Sequence, residues 1–341
     1  MIQHFRFGSP IRTDSVVQDI PVSSDAVPFL TADADGWVYT MAPDAIVYGL
    51  GEMPRGINKR GWHYVANNTD ESHHGENKVS YYGAHNFLLI DGGPGGDLFG
   101  VFVDFPGKVH YDIGYTVHDT LRFATEEPDY ELYILTGADL NDIAHQFRQL
   151  IGRSYIPPKW AFGLQQSRWG YKTAEDVREV ARQYKENDLP LDMICMDIDY
   201  MQDYADFTIN KERFPDLAAL AAELKAQGIR LVPIIDAGVR IDPEEPTCTE
   251  GLEKGYFCKK EDGTPFVAAV WPGKAYFADF LRPEVRAWFG HRYKVLTDCG
   301  IEGFWNDMNE PALFYSPDRL KAFLDSMHEL RGQDNIVQEE F

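Results

Sequence analysis

The chain has 341 residues, 44% hydrophobic and 25% charged, with a formal net charge of −22 from 54 acidic and 32 basic residues. That length allows two domains with cores of their own, and the composition excludes a disordered chain. So negative a surface repels phosphate backbones and anionic lipids, so neither nucleic acid nor a membrane is an expected partner; a neutral or cationic substrate fits, although acidity also serves solubility alone.

Up to about residue 135 the pattern is one of short extended runs. Asn86 to Ile90 and Leu98 to Val103 flank a Gly-Gly-Pro-Gly-Gly turn at 92–96, and Val109 to Ile113, Thr120 to Ala124 and Tyr130 to Leu135 predict three more strands. Closely spaced short strands of this kind predict an antiparallel sandwich. Asp139 then caps a predicted helix whose apolar positions, Leu140, Ile143, Ala144, Phe147 and Leu150, recur at helical spacing, with Gly152 as its stop. Pro157-Pro158 marks a boundary. These signals divide the chain into a sandwich over 1–136, a helical linker over 137–158 and a second domain over 159–341.

The second domain alternates strands and helices, which predicts a parallel sheet, open or closed into a barrel. The apolar run Trp160 to Leu164 opens its first strand, at about 160–166. Thr173 opens a helix carrying Val177, Val180, Ala181 and Tyr184, with Asp176 as a variant capping-box partner. Leu191 to Met196 is the second strand. Asp216 caps a helix closed by Gly228, and Leu231 to Ile235 is the third strand. Pro283 opens a helix ended by Gly300, and Gly303 to Trp305 is the fourth strand. The connection from Gly238 to Leu281 is long for such a unit, and long connections in compact domains are often functional.

The last three apolar runs each lead into a carboxylate: Asp197, Asp236 and Asp307. An Asp after one strand is most often a cap or turn residue. Three at successive strand ends would gather at the C-terminal edge of a parallel sheet, where the active sites of such folds lie. Converging carboxylates suit metal binding or glycoside hydrolysis. The nearby Trp169, Tyr200, Trp271 and Trp305 favour a sugar over a metal. Cys195, Cys248, Cys258 and Cys299 form no C-x-x-C pair and have no His at ligand spacing, so no disulfide framework, metal or cofactor is expected. Met1 to Arg6 lack the apolar stretch of a signal peptide, and no run approaches a membrane span; a cytoplasmic setting is the expectation.

The segment Trp305-Asn-Asp-Met-Asn-Glu-Pro311 resembles the nucleophile motif of glycoside hydrolase family 31. Tyr48-Gly-Leu-Gly-Glu52, Tyr82-Gly-Ala-His85, Ile156-Pro-Pro-Lys-Trp160, Gln166-Ser-Arg-Trp-Gly-Tyr171, Met196-Asp-Ile-Asp-Tyr200 and Val232-Pro-Ile-Ile-Asp236 follow that family's order. The resemblance runs from about Ile46 to Ser316. It implies an N-terminal β-sandwich followed by a (β/α)8 TIM-type barrel, with about the first four strand–helix units in this chain. It also implies a retaining α-glycosidase, most often an α-glucosidase removing terminal glucose from α-linked oligosaccharides through a covalent glycosyl-enzyme.

By the same resemblance Asp307 is the nucleophile. Asp197, Asp236, Trp271 and Trp305 surround the sugar at the reaction centre, Trp169 stands at the entrance, and Asp70 comes from a loop of the sandwich. A retaining mechanism needs a second carboxyl roughly 5 to 5.5 Å from the first; the resemblance implies that this acid/base follows beyond residue 341, so that 1–341 is part of a longer polypeptide. α-Xylosidase, α-galactosidase, α-glucan lyase and a non-catalytic sugar-binding fragment remain alternatives. Linkage preference (α-1,6 is one option) and homo-oligomerisation stay open. Asp199 is a second-tier candidate, Glu310 reads as structural, and His73-His74 reads as a surface loop.

Overall fold

A computed structural model of the chain describes residues 1–314, except 35 and 72. It divides between Tyr155 and Ile156 into two compact units. The first begins with strands β1 (Ile2–Phe7), β2 (Thr31–Asp33), β3 (Gly36–Thr40), β4 (Ile46–Gly51) and β5 (Trp62–Ala66). It continues with β6 (Ala84–Asp91), β7 (Leu98–Asp104), β8 (Val109–Ile113), β9 (Thr120–Thr125), β10 (Tyr130–Thr136) and helix α1 (Leu140–Leu150).

These strands form two antiparallel five-stranded sheets, ordered β1-β10-β7-β6-β4 and β2-β3-β9-β8-β5. Alternation along the strands sends Val47, Leu88, Ile90, Val101, Tyr111, Phe123, Leu132 and Ile134 into a shared buried core. Each large apolar side chain buried there contributes about 1.5–3 kcal/mol relative to exposure. Strands β6 to β10 lie where the sequence pattern predicts them, and β1 to β5 are not among the predicted strands.

Helix α1 starts where expected, with the Asp139 carboxylate accepting the Asp142 N–H at 2.8 Å. It covers the outer face of the first sheet, where Phe147 stacks on Phe87 with ring centres 3.7 Å apart and Ile143 and Leu150 are fully buried. The helix therefore belongs to the first compact unit, whereas the sequence reading set it apart as a linker.

The second unit contains β11 (Gln165–Arg168), α2 (Ala174–Glu186), β12 (Met193–Met196), α3 (Leu217–Ala226), β13 (Arg230–Ile235) and β14 (Gly238–Arg240). Then come α4 (Pro246–Glu253), β15 (Val267–Val270), β16 (Gly273–Phe277), α5 (Pro283–Arg292), α6 (Lys294–Thr297) and β17 (Trp305–Asn306). Strands β11-β12-β13-β17 form one parallel sheet in sequence order, the first part of a barrel wall. Helices α2, α3 and α5 bury Val177, Leu220, Leu224, Val285 and Trp288 in one core with Ile194, Leu231 and Ile235 of the sheet. Thr173 and Asp176 form a complete capping box, and Asp216 caps α3.

Two sequence expectations change here. The first strand, expected at about 160–166, starts only at Gln165. Lys159–Phe162 is a 3-10 turn, held by Ala161 N–H to Pro158 and Gly163 N–H to Trp160, and pairing with β12 begins at Gln165. The connection after β13 is not a bare loop: it holds α4 and an antiparallel sheet, β14-β16-β15. Residues 315–341, the end of the expected fourth unit, lie outside the described residues.

Candidate active site

The site is built from strand ends. Met193, Cys195, Val232 and Trp305 share one face of the parallel sheet and pack together with Trp160. Two-residue alternation continues that face to Asp197 after β12, Asp236 after β13 and Asp307 after β17. The three carboxylates come close enough to repel one another. Burial pushes the Asp197 carboxyl up, and the charges of Asp307 and Asp199 add to this, against a bond from the Ile198 N–H at 2.8 Å. Asp236 is 5% exposed, and its Oδ1 is buried with no partner among the described residues. Its pKa is pushed up to about 7, first by burial and then by the charges of Asp307 and Asp197.

Asp307, like Asp197, accepts the N–H of the next residue. Its backbone N–H donates to the Ile235 carbonyl at 3.1 Å, and its Oδ1 accepts the Met308 N–H at 2.9 Å. Met308 adopts φ +60°, a left-handed conformation that costs a non-glycine residue of order 1–3 kcal/mol. The buried Met308 side chain offsets this by packing with Val270, Phe277 and Ala312. The turn after Asp307 is thereby anchored on the β15–β16 hairpin.

That hairpin carries Trp271 at its tip. Val270 pairs with Gly273, leaving Trp271-Pro272 as a two-residue turn, and Gly273 has φ +89°, a conformation that suits glycine. Trp271 is 47% and Trp169 62% exposed, yet the two rings lie face to face with centres 6.3 Å apart. Phe314 meets Trp271 edge-on at 4.7 Å. Such exposed, mutually supported ring faces suit the apolar faces of sugars. Trp305 is half-buried beside Cys195 and Val232.

The second unit thus brings Asp197, Asp236 and Asp307 together, and separately pairs Trp169 with Trp271. Asp70 belongs to the first unit, where it is exposed and accepts a hydrogen bond from the Tyr82 hydroxyl at 3.1 Å. Asp199 is buried, 3.6 Å from the Arg213 guanidinium. Glu310 lies in the turn beyond Asp307.

One residue escaped the sequence reading. Asp206, 4% exposed, sits in the segment after β12 and accepts the backbone N–H of Asp236 at 3.0 Å. Its only sequence signal is an acid directly before the buried aromatic Phe207.

Residues 154–335 match the model of the glycosyl hydrolases family 31 TIM-barrel domain, and residues 21–112 match that of the glycosyl hydrolase 31 N-terminal galactose mutarotase-like domain. The chain belongs to glycosyl hydrolase family 31. Family 31 relatives include α-glucosidase 2 of Bacillus thermoamyloliquefaciens, 42% identical over 269 residues, covering 78% of this chain and 34% of the relative. The α-glucosidase of Saccharolobus solfataricus is 29% identical, over 85% of this chain and 41% of its own length. Alpha-xylosidase 1 of Arabidopsis thaliana is 31% identical, over 81% and 31%.

Among solved structures, the family 31 dextranase of Flavobacterium johnsoniae complexed with glucose superposes with a TM-score of 0.74 at 26% identity, covering 87% of this chain and 36% of that one. The same dextranase has been solved, as a mutant, in complex with isomaltotriose. The chain therefore spans between about a third and two fifths of these relatives' lengths. The family matches and the α-glucosidase relatives place the chain in a glycoside hydrolase family that includes α-glucosidases.

Proposed function

We propose that the whole protein is a retaining α-glycosidase, an α-glucosidase first of all, in which Asp307 attacks the anomeric carbon and forms a covalent glycosyl-enzyme. The observation that carries this reading is the convergence of three strand-end aspartates, with Asp307 at the end of β17 in the segment that resembles the family's nucleophile motif. Asp197 and Asp236 bind hydroxyls of the sugar at the reaction centre, with Trp305 and Trp271 as walls and Trp169 at the entrance.

Burial first, and then the charges of Asp307 and Asp197, push the Asp236 pKa up to about 7, so near neutral pH its protonated form is available both to donate to and to accept from a sugar hydroxyl. In this proposal the acid/base carboxyl lies outside residues 1–341, so turnover belongs to the whole protein. The relatives named α-glucosidase support glucose as the sugar, and a dextranase complexed with isomaltotriose supports testing α-1,6 linkages.

The test is the rate of the whole protein on maltose, isomaltose and activated α-glucoside, α-xyloside and α-galactoside. Fastest turnover of the α-glucosides is the expected result. Preference for α-xyloside moves the protein to the alternative named by the Arabidopsis relative. Binding of these sugars with no turnover of any overturns the enzymatic reading, and activity abolished by a chelator overturns the carboxylate mechanism.

A further inference from the structure

The peptide group joining Ile235 to Asp236 is held from both sides. Its C=O accepts the backbone N–H of Asp307 at 3.1 Å, and its N–H donates to Asp206 Oδ1 at 3.0 Å. In a trans peptide these two groups point in opposite directions, so one bond faces β17 and the other faces the side of β12. Strand β12 cannot supply the second bond, because its pairing with β13 stops at Pro233 and the chain then enters the Ile198–Tyr200 turn. Asp206 takes the place of the missing strand. We infer that Asp206 is a positioning residue, which fixes the Ile235–Asp236 peptide and through it places both the Asp236 carboxyl and the Asp307 backbone.

The surroundings show what this placement requires. Asp206 is delivered by a short segment in which Asp203, Tyr204 and Phe207 all have φ between +49° and +62°. Non-glycine residues stay in that region only when their surroundings over-determine them. Several contacts do so. The Thr208 hydroxyl donates to the Ala205 carbonyl at 2.6 Å and accepts the Gln202 N–H at 2.9 Å; Phe207 packs edge-on to Phe289 and Tyr293. Tyr200, fully buried beneath the segment, donates to the Ile234 carbonyl at 2.8 Å, one peptide before the gripped one.

A carboxyl this enclosed is costly to ionise, and Asp236 lies beside it; burial first, and that neighbour second, hold its pKa well above the ordinary range. The Asp236 N–H needs only an acceptor oxygen at this position, which an asparagine also supplies.

This inference rests on the assignment of Asp307 as nucleophile, and the experiment separates the two. The whole protein is compared with Asp206→Ala, Asp206→Ser, Asp206→Asn and Asp307→Ala on an aryl α-glucoside with a good leaving group, reading kcat and KM separately, with folding followed by circular dichroism. Loss of the grip should lower kcat by about 10- to 100-fold in Asp206→Ala, because misplacing a reacting group by about 1 Å costs that much. KM should change far less, and Asp206→Asn should recover most of the loss. Asp206→Ser leaves a polar space for water, and it supplies the reading if Asp206→Ala does not fold.

Normal kcat in a folded Asp206→Ala or Asp206→Ser, with Asp307→Ala inactive, overturns the positioning role and leaves the nucleophile standing. Asp206→Asn as impaired as Asp206→Ala, or inactive where neither small variant folds, also overturns it, since a neutral acceptor would then not suffice. Normal turnover in Asp307→Ala removes the nucleophile assignment instead.

Discussion

Replacing Asp236 by asparagine tests the electrostatics of the carboxylate cluster without reference to catalysis. The Asp236 pKa rises from its ordinary value of 3.8 to about 7 on folding. A difference of about 3 pH units, at about 1.36 kcal/mol each, amounts to about 4 kcal/mol. The sign follows from which state binds the proton. Between pH 3.8 and 7 the folded chain holds a proton on Asp236 that the unfolded chain has released. Stability from this group is therefore complete below the lower value and is lost as pH rises through the upper one.

Asp236→Asn has no such proton to lose. Relative to the parent, it should gain up to about 4 kcal/mol between about pH 4 and pH 8. Urea unfolding of the 341-residue chain and its variant at a series of pH values, followed by tryptophan fluorescence, measures the difference. All charges other than the one at position 236 are common to both proteins (formal net charge −22 against −22 + 1 = −21), so their mutual repulsion cancels. A stability difference that stays flat with pH, or that moves against the variant as pH rises, would refute the reasoning.

Other outcomes follow from the same geometry. Asp307→Ala in the whole protein should lower kcat by several orders of magnitude, each tenfold being about 1.4 kcal/mol of barrier; azide should restore part of the rate and give a β-glycosyl product, and an α product would show the assigned role to be wrong. Trp169→Ala removes one of two facing rings and should raise KM for oligosaccharides by roughly tenfold with kcat little changed, in line with about 0.5–1.5 kcal/mol for an aromatic pair plus lost apolar contact; initial-rate kinetics across chain lengths tests this, and an unchanged KM would remove Trp169 from the site. In the sandwich, Leu88→Ala should cost about 2–5 kcal/mol by leaving a cavity in a fully buried position, read as a lower urea midpoint. Thr173→Ala breaks the capping box of α2 and should cost about 1 kcal/mol by the same measurement.

The legible parts of the sequence were those where one local rule dominates. Strands β6 to β10 and helix α1 have clean periodicity, and Asp139, Thr173 and Asp216 sit as caps where their spacing placed them. The three strand-end aspartates could be found because each interrupts an apolar run. Strands β1 to β5 were not, because several are partly exposed and their pattern is blurred, as in Thr31–Asp33 and Trp62–Ala66. Trp160 to Leu164 misled because apolar content without alternation does not separate a strand from a turn that follows two prolines. The sheet after β13 was hidden by its short strands. Asp206 was hidden for a different reason: its role depends on a backbone N–H thirty positions away, and nothing local announces such a contact.

The β15–β16 hairpin invites one consequence for how such a site diversifies. Its tip displays Trp271, while its body rests on Met308 beside Asp307. Antiparallel pairing has a period of two, so adding or deleting one matched pair per strand would carry the tip ring about 7 Å outward or inward and keep every side chain on its own face. A single-residue change would instead turn the packed residues outward and disturb the turn after Asp307. The hairpin thus behaves as an adjustable arm on a fixed mount: the tip ring can move in steps of two residues while the three strand-end carboxylates stay where they are.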